Sequence, residues 1–109
     1  MSIEKIIELF NSRGFVFEDI SYEDKLAYYT KHNGLRISIF DHDYPNTGYC
    51  GSILVEHEDN FDKWSKAFYQ SNFPSDDKDF DILMNDLLYV SQDFNKEAGN
   101  GFGGLVRRF

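Results

Sequence analysis

The 109-residue sequence contains two acid-histidine-acid triplets, at residues 41–43 and 56–58. In a β-strand, residues i and i+2 lie on the same face, so the two carboxylates of each triplet would project together. If the two strands paired, four carboxylates would lie close, and such oxygen ligands suit Mg²⁺ or Mn²⁺. A metal-dependent hydrolase built on this pattern would use Asp41, Asp43, Glu56 and Glu58.

The position of both triplets favours a simpler interpretation. Each lies where a predicted strand ends in a polar segment, and charged side chains are ordinary at such exposed places. The sequence has neither the glycine of an EF-hand loop nor a helical His-Glu-x-x-His spacing. We therefore expect solvated strand ends, with no bound metal or other cofactor and no catalytic residue.

The only cysteine, Cys50, lies between the two triplets. A single cysteine forms no internal disulfide and fits a reducing compartment. His42 or His57 could act as the base that activates its thiol as a nucleophile. The surrounding carboxylates, however, would raise the pKa of the thiol and disfavour the thiolate. We expect Cys50 to be a small residue that enters a strand.

Length and composition predict one small cytoplasmic domain. Aromatic residues make up 17% of the chain, which supplies enough apolar surface for a core. No apolar run approaches the roughly 20 residues that span a bilayer. The first residues do not have the pattern of a signal peptide.

The formal charge of −8 is unevenly distributed along the chain. Residues 41–97 hold thirteen acids against four lysines, a net of −9, whereas residues 1–40 carry a net of −1. Affinity for phosphates comes from Lys and Arg clusters, so this distribution argues against nucleic acid as a direct ligand. A negative surface would instead steer a basic protein towards it. The alternative is that the acids only keep an aromatic-rich protein in solution.

The first part of the chain predicts a helix followed by a strand. A helix over residues 3–13 is indicated by helical spacing of Ile3, Ile6, Ile7 and Phe10. Its predicted N-cap is Ser2 and its predicted C-cap is Gly14. Residues 15–20, with aromatic and β-branched side chains, predict the first strand.

A β-hairpin is the clearest local signal. Asn33-Gly34 predicts a two-residue type I′ turn between strands over 25–32 and 35–41. This turn fixes a register that places His32 opposite Leu35, Thr30 opposite Ile37 and Tyr28 opposite Ile39. One face of the second strand then buries Leu35, Ile37 and Ile39, while Arg36 and Ser38 point the other way. After a loop over 41–51, residues 52–58 predict another strand.

Two helices and a tail are predicted for the second half. The first begins at Asp59 or Asn60 and carries Phe61, Trp64 and Phe68 at helical spacing. After a break over 71–75, a third helix begins near Asp76, with one face formed by Phe80, Leu83, Met84, Leu87 and Leu88. The glycine-rich residues 99–104 predict a flexible segment. The apolar residues beyond it, Leu105, Val106 and Phe109, would cover a sheet edge or helix groove in this chain or in a partner.

These elements predict an α+β fold. Its small antiparallel sheet would have three to five strands, with one N-terminal helix and two C-terminal helices in the order α-β-β-β-β-α-α. Residues 1–98 would form the domain, and residues 99–109 the tail.

Acids near the start of the third predicted helix form the candidate functional surface. They are either a solvated face with favourable first-turn charges or a ridge that engages Lys and Arg side chains. Neighbouring aromatic residues could anchor such an interface. The candidate partner contacts are Asp76, Asp77, Asp79, Asp81, Asp86, Glu58, Asp59, Asp62, Tyr69 and Tyr89.

The function that these features favour is that of a non-catalytic acidic inhibitor. Its partner would be a basic protein, a nuclease or another nucleic-acid-handling protein, and it would bind neither nucleic acid nor membrane directly. Anti-CRISPR proteins of phages and mobile elements offer an analogy of size, charge and element order. The alternatives are an immunity protein that neutralises a nuclease toxin, the metal-dependent hydrolase described above, and a plain subunit of a larger assembly.

Overall fold

The computed structural model describes residues 1–32, 34–42, 51–57, 69–97 and 105–109. Within them the fold is α+β, as predicted, and consists of two helices and one mixed sheet of six strands. Along the chain the elements are α1 (Ile3–Asn11), β1 (Glu18–Asp19), β2 (Ala27–His32), β3 (Leu35–Phe40), β4 (Ser52–His57), β5 (Tyr69–Ser71), α2 (Asp77–Glu97) and β6 (Leu105–Arg107).

Helix α1 has the predicted N-cap, Ser2, but it ends at Asn11 with Ser12 as its C-cap, before the predicted end at residue 13 and the predicted C-cap Gly14. The Ser2 hydroxyl accepts a hydrogen bond from the Lys5 N–H, at 3.2 Å. At the other end the Phe15 N–H donates to the Phe10 carbonyl, at 3.1 Å, around Gly14 with φ of +88°. This is the pattern of a Schellman motif, and its accompanying apolar contact is the Phe10–Phe15 ring pair, with centroids 5.2 Å apart.

The predicted hairpin register is confirmed. In the β2–β3 pair His32 lies opposite Leu35, Thr30 opposite Ile37 and Tyr28 opposite Ile39. Leu35, Ile37 and Ile39 are all buried. Gly34 has a φ of +81°, as a type I′ turn requires at its second position, and Asn33 lies outside the described residues.

The Gly34→Val substitution tests this turn. A Cβ at Gly34 would meet no atom within 4 Å, so the cost of a side chain there is conformational. We expect valine to lower the free energy of unfolding by about 1–2 kcal/mol, because a β-branched residue rarely adopts positive φ. Thermal melts of Gly34→Val and Gly34→Asn give the measurement. Asparagine tolerates the left-handed region, so equal losses for both variants would contradict a conformational origin.

The sheet corrects the prediction of three to five antiparallel strands. Its strands lie in chain order from β1 to β6, and all neighbours are antiparallel except β5 and β6, which are parallel. The sequence predicted neither β5, which borders the expected break over 71–75, nor β6, which lies in the expected tail. Both have only three residues, too few to show an alternating pattern.

Both helices pack on one face of the sheet. From α1 the core receives Ile3, Ile6 and Phe10, and from α2 it receives Phe80, Leu83, Leu87 and Val90. Helix α2 is the third predicted helix. The prediction that Leu88 lies on its buried face was wrong, because Leu88 is 61% exposed. Positions 80, 83, 87 and 90 follow the 3.6-residue period, and Leu88 lies about 100° away from Leu87 around the axis.

The opposite face of the sheet is partly buried as well. Ala27, Phe40 and Leu54 form a second, smaller cluster there, and Ser38 is also buried on that face. Strand β1 covers only two residues of the strand that was predicted over 15–20.

The second predicted helix, from Asp59 or Asn60, lies outside the described residues.

Candidate functional site

The first turn of α2 uses two of its acids to cap the helix. The Asp76 carboxylate accepts a hydrogen bond from the Asp79 N–H, at 2.8 Å, and Asp79 in turn accepts from the Ser75 N–H, at 3.2 Å. The bond to Asp76 satisfies a backbone donor that the helix leaves free at its start, and the negative charges suit the positive end of its dipole. Asp76 and Asp79 therefore have a structural role, whatever they contact outside the protein.

Asp81 joins α2 to the end of α1. Arg13 donates to its carboxylate, with Nη2 2.6 Å from Oδ1, while the guanidinium lies 4.8 Å above the centre of the Phe80 ring. Both charged side chains are substantially exposed, so water screens the pair and its contribution to stability is small. The carboxylate of Asp81 thus remains at the surface.

The outward side of α2 combines acids with apolar side chains. We call this the α2 surface; it consists of the exposed residues Asp77, Lys78, Asp81, Asn85, Leu88 and Tyr89. Leu88 and Tyr89 are 61% and 59% exposed, side by side beyond the acids. A helix places residues four apart above one another, so Asp77, Asp81 and Asn85 form a row that leads to this apolar pair.

Asp86 holds the C-terminal strand to α2. Its Oδ2 accepts from the Tyr69 hydroxyl, at 2.6 Å, and from Arg107 Nε, at 2.9 Å. Its Oδ1 accepts from Arg107 Nη2, also at 2.9 Å, which completes a bidentate pair. These three residues join β5, α2 and β6. We call them the Asp86 cluster.

The Asp86 cluster shifts the pKa values of its members. Burial alone would raise the pKa of Asp86, but the hydrogen bonds from Arg107 and Tyr69 and the guanidinium charge outweigh it, so this pKa lies below its ordinary value. Burial and the bond to the carboxylate raise the pKa of Tyr69. The neighbouring carboxylate raises the pKa of Arg107. All three groups are therefore fixed in one protonation state near neutral pH.

The structure separates the predicted contact residues into three groups. Asp76, Asp77, Asp79, Asp81 and Tyr89 lie on or beside the α2 surface. Tyr69 is only 1% exposed and Asp86 is bound to Arg107, so neither side chain is presented to a partner in this arrangement. Glu58, Asp59 and Asp62 lie outside the described residues.

The described parts of the two acid-His-acid triplets, at 41–42 and 56–57, lie at opposite ends of the β3–β4 pair. Asp41 follows the end of β3, whereas Glu56 of β4 lies opposite Arg36, near the start of β3. Five residues of strand therefore separate Asp41 and Glu56, which is roughly 17 Å. Burial raises the pKa of Glu56, and the charge of Arg36 opposes this shift.

Asp41 has a local structural role. Its Oδ1 accepts a hydrogen bond from the Leu26 N–H, at 3.0 Å, and lies 3.2 Å from His42 Nδ1. The described residues contain no group of three or more His, Cys, Asp and Glu side chains that could hold a metal ion. Asp43, Glu58 and Cys50 lie outside these residues, so the expectation that Cys50 is a small residue entering a strand stays a prediction.

Sequence reasoning missed the Asp86 cluster and the exposed position of Leu88. No local pattern connects Asp86 with Arg107, because twenty residues and the end of a helix lie between them. Leu88 could have been identified by a strict 3.6-residue count from Phe80, which places it outside the core face.

The chain matches no family model, no curated protein and no solved structure. Among the described residues, neither helix combines the length and apolar character that crossing a bilayer requires.

Proposed function

We propose that this protein is a non-catalytic binding protein that inhibits a basic, nucleic-acid-handling protein. The α2 surface would cover the Lys and Arg side chains with which the partner grips phosphates. The supporting observation is that exposed Leu88 and Tyr89 stand on the same side of α2 as the exposed carboxylates of Asp77 and Asp81.

The two parts of the α2 surface would contribute differently to binding. Carboxylates form charge-assisted hydrogen bonds with guanidinium and ammonium groups, and their field guides the encounter. Apolar and aromatic side chains at the centre of an interface supply most of the binding energy. The net charge of −9 over residues 41–97 strengthens the same field.

The salt dependence of binding is the first measurement. After capture from a lysate and purification of the partner, we expect its association rate to fall about tenfold from low to high salt, with a smaller change in dissociation. The Tyr89→Ala variant should dissociate about tenfold faster, because it loses an anchor that salt scarcely affects. Stopped-flow or surface-based kinetics give both rates.

Charge reversal is best confined to Asp77. Reversing Asp76 or Asp79 would also remove a helix cap, whereas Asp77 is exposed in the same turn. Asp77→Lys should slow association about threefold, and Lys78→Glu should accelerate it. The matched control is Glu8→Lys, the same charge change at an exposed site on α1.

The inhibitor hypothesis requires a functional readout. The captured partner should lose binding or cleavage of nucleic acid when this protein is added, and Asp77→Lys should weaken that inhibition. If the partner is a nuclease toxin, the protein is an immunity protein. A partner without nucleic-acid activity, or one that binds all α2 variants equally, would contradict the proposal.

A further inference from the structure

A second exposed apolar surface lies along β1, at the edge of the sheet opposite β6. Val16 and Tyr22 are 79% and 73% exposed, and Ile20 between them is also exposed. Three of the six large apolar side chains that are exposed in the described residues thus fall within this one short stretch. Such clustering is typical of an interaction surface, because single exposed apolar residues are usually scattered.

An open pocket adjoins these side chains. It has a volume of about 260 Å³ and is lined by Val16, Glu18, Tyr29, Thr30 and Lys31. Glu18 lies opposite Tyr29 in the β1–β2 pair, and its carboxylate raises the pKa of the Tyr29 phenol. The guanidinium of Arg36 lies 4.9 Å from the centre of the Tyr29 ring and supports it. The pocket therefore has a carboxylate, a phenol and aliphatic walls.

The backbone of β1 is not open for strand addition along its length. The Asp19 carboxylate accepts the hydrogen bond of the Ser21 N–H, at 2.9 Å. This bond occupies a donor that an added strand would need, and β1 itself has only two residues. A partner at this edge would therefore be recognised through side chains.

The local charge indicates what kind of partner fits. Residues 16–25 contain four acids and one lysine, a net of −3, and the whole chain carries −8. A second copy of this chain would bring like charges together, which is unfavourable. A segment with arginine between apolar residues would complement both the carboxylates and the apolar side chains.

We propose that Val16, Glu18, Ile20 and Tyr22, together with the pocket, form a docking surface for a basic segment of a partner protein. An arginine of that segment enters the pocket, donates to the Glu18 carboxylate and lays its aliphatic stem against Val16. Apolar residues beside this arginine cover Ile20 and Tyr22. Lys31 also lines the pocket and is exposed, which allows its ammonium to stay in water beside the bound arginine. This surface is separate from the α2 surface and does not depend on its function.

The probe is a synthetic peptide of alternating valine and arginine with blocked ends, titrated into the full chain and followed by NMR amide shifts. We expect shifts at Val16, Glu18 and Tyr29 and at least tenfold weaker binding by Glu18→Lys. Tyr22→Ser should also weaken binding. Both positions are exposed, so the melting temperatures should stay near that of the wild type.

Two controls separate this proposal from simple charge attraction and from the α2 surface. A peptide of alternating valine and glutamate should not bind, and Glu8→Lys or Asp77→Lys should leave the affinity for the arginine peptide within about twofold. Equal effects of Glu18→Lys and Glu8→Lys would overturn the proposal, as would shifts confined to α2. Concentration-dependent dimerisation that Tyr22→Ser abolishes would assign the surface to a second copy and overturn the proposed occupant.

Discussion

Replacing Asp86 by alanine is expected to lower the free energy of unfolding by about 2–3 kcal/mol. The substitution leaves the buried Tyr69 hydroxyl without its acceptor, and a buried unsatisfied hydroxyl costs about 1–3 kcal/mol. It also removes the bidentate partner of Arg107. Removing one member of a fully buried ion pair costs about 3–5 kcal/mol. Here Asp86 is 17% exposed and Arg107 is 45% exposed, so we expect a smaller loss of stability from breaking this pair.

Denaturant unfolding measures this loss, and Asp81→Ala is the matched control. Asp81 also pairs with an arginine, Arg13, but both side chains are exposed, so its replacement should cost about 0.5 kcal/mol or less. Hydrogen exchange should further show that β5 and β6 lose protection in Asp86→Ala. Equal losses of stability in the two variants would mean that the Asp86 cluster does not hold the strand.

The effect of Asp86→Ala should depend on pH in a defined direction. The folded-state pKa of Asp86 lies below its ordinary value of 3.8, so its stabilisation is fully present above that value. It is lost as the pH falls through the folded-state pKa, where the carboxylate becomes protonated. The difference in unfolding free energy between wild type and variant should therefore stay constant from neutral pH to about 5 and shrink below about 4.

The largest loss of stability is expected for Phe10→Ala, at about 4 kcal/mol. Phe10 is fully buried, and its ring lies 5.1 Å from that of Phe17 and 5.0 Å from that of Phe80, between centroids. Truncation removes edge contacts to these rings and leaves a cavity between α1, α2 and the sheet. Because small domains have about 5–15 kcal/mol of stability, this variant should be close to unfolding at 37 °C.

Leu88→Ala is the control for Phe10→Ala. It also removes a large apolar side chain from a helix, but Leu88 is mostly exposed and alanine suits helices as well as leucine. We expect a change within about 0.5 kcal/mol in urea unfolding. A loss comparable to that of Phe10→Ala would contradict the orientation of α2.

The parts of the fold that the sequence predicted correctly are governed by local chemistry. A two-residue turn at Gly34 determines every pairing between β2 and β3, because register follows directly from loop length. Likewise Ser2 caps the start of α1 and Gly14 allows the turn that follows its end, through hydrogen bonds that span only a few residues. Such features depend little on the rest of the chain.

The parts that it missed depend on distant residues. Strand β6 is parallel to β5, and the arginine that fastens it pairs with an acid on α2, which also accepts a hydrogen bond from a tyrosine on β5. No spacing in the sequence signals a contact of this kind. For the candidate site, the acids of α2 were predictable from composition, whereas the different roles of Asp77, Asp79 and Asp86 follow only from their partners in three dimensions.

The order of strands in the sheet has a consequence for how the chain folds. Because β1 to β4 lie side by side in chain order, each can pair with a neighbour that has already been formed, across a connection no longer than that from Phe40 to Ser52. Local pairings of this kind have a small entropy of closure and form early. The parallel pairing of β6 instead requires that α2 has already crossed back over the sheet. The Asp86 cluster would then assemble late, so its removal should mainly accelerate unfolding and leave the folding rate almost unchanged.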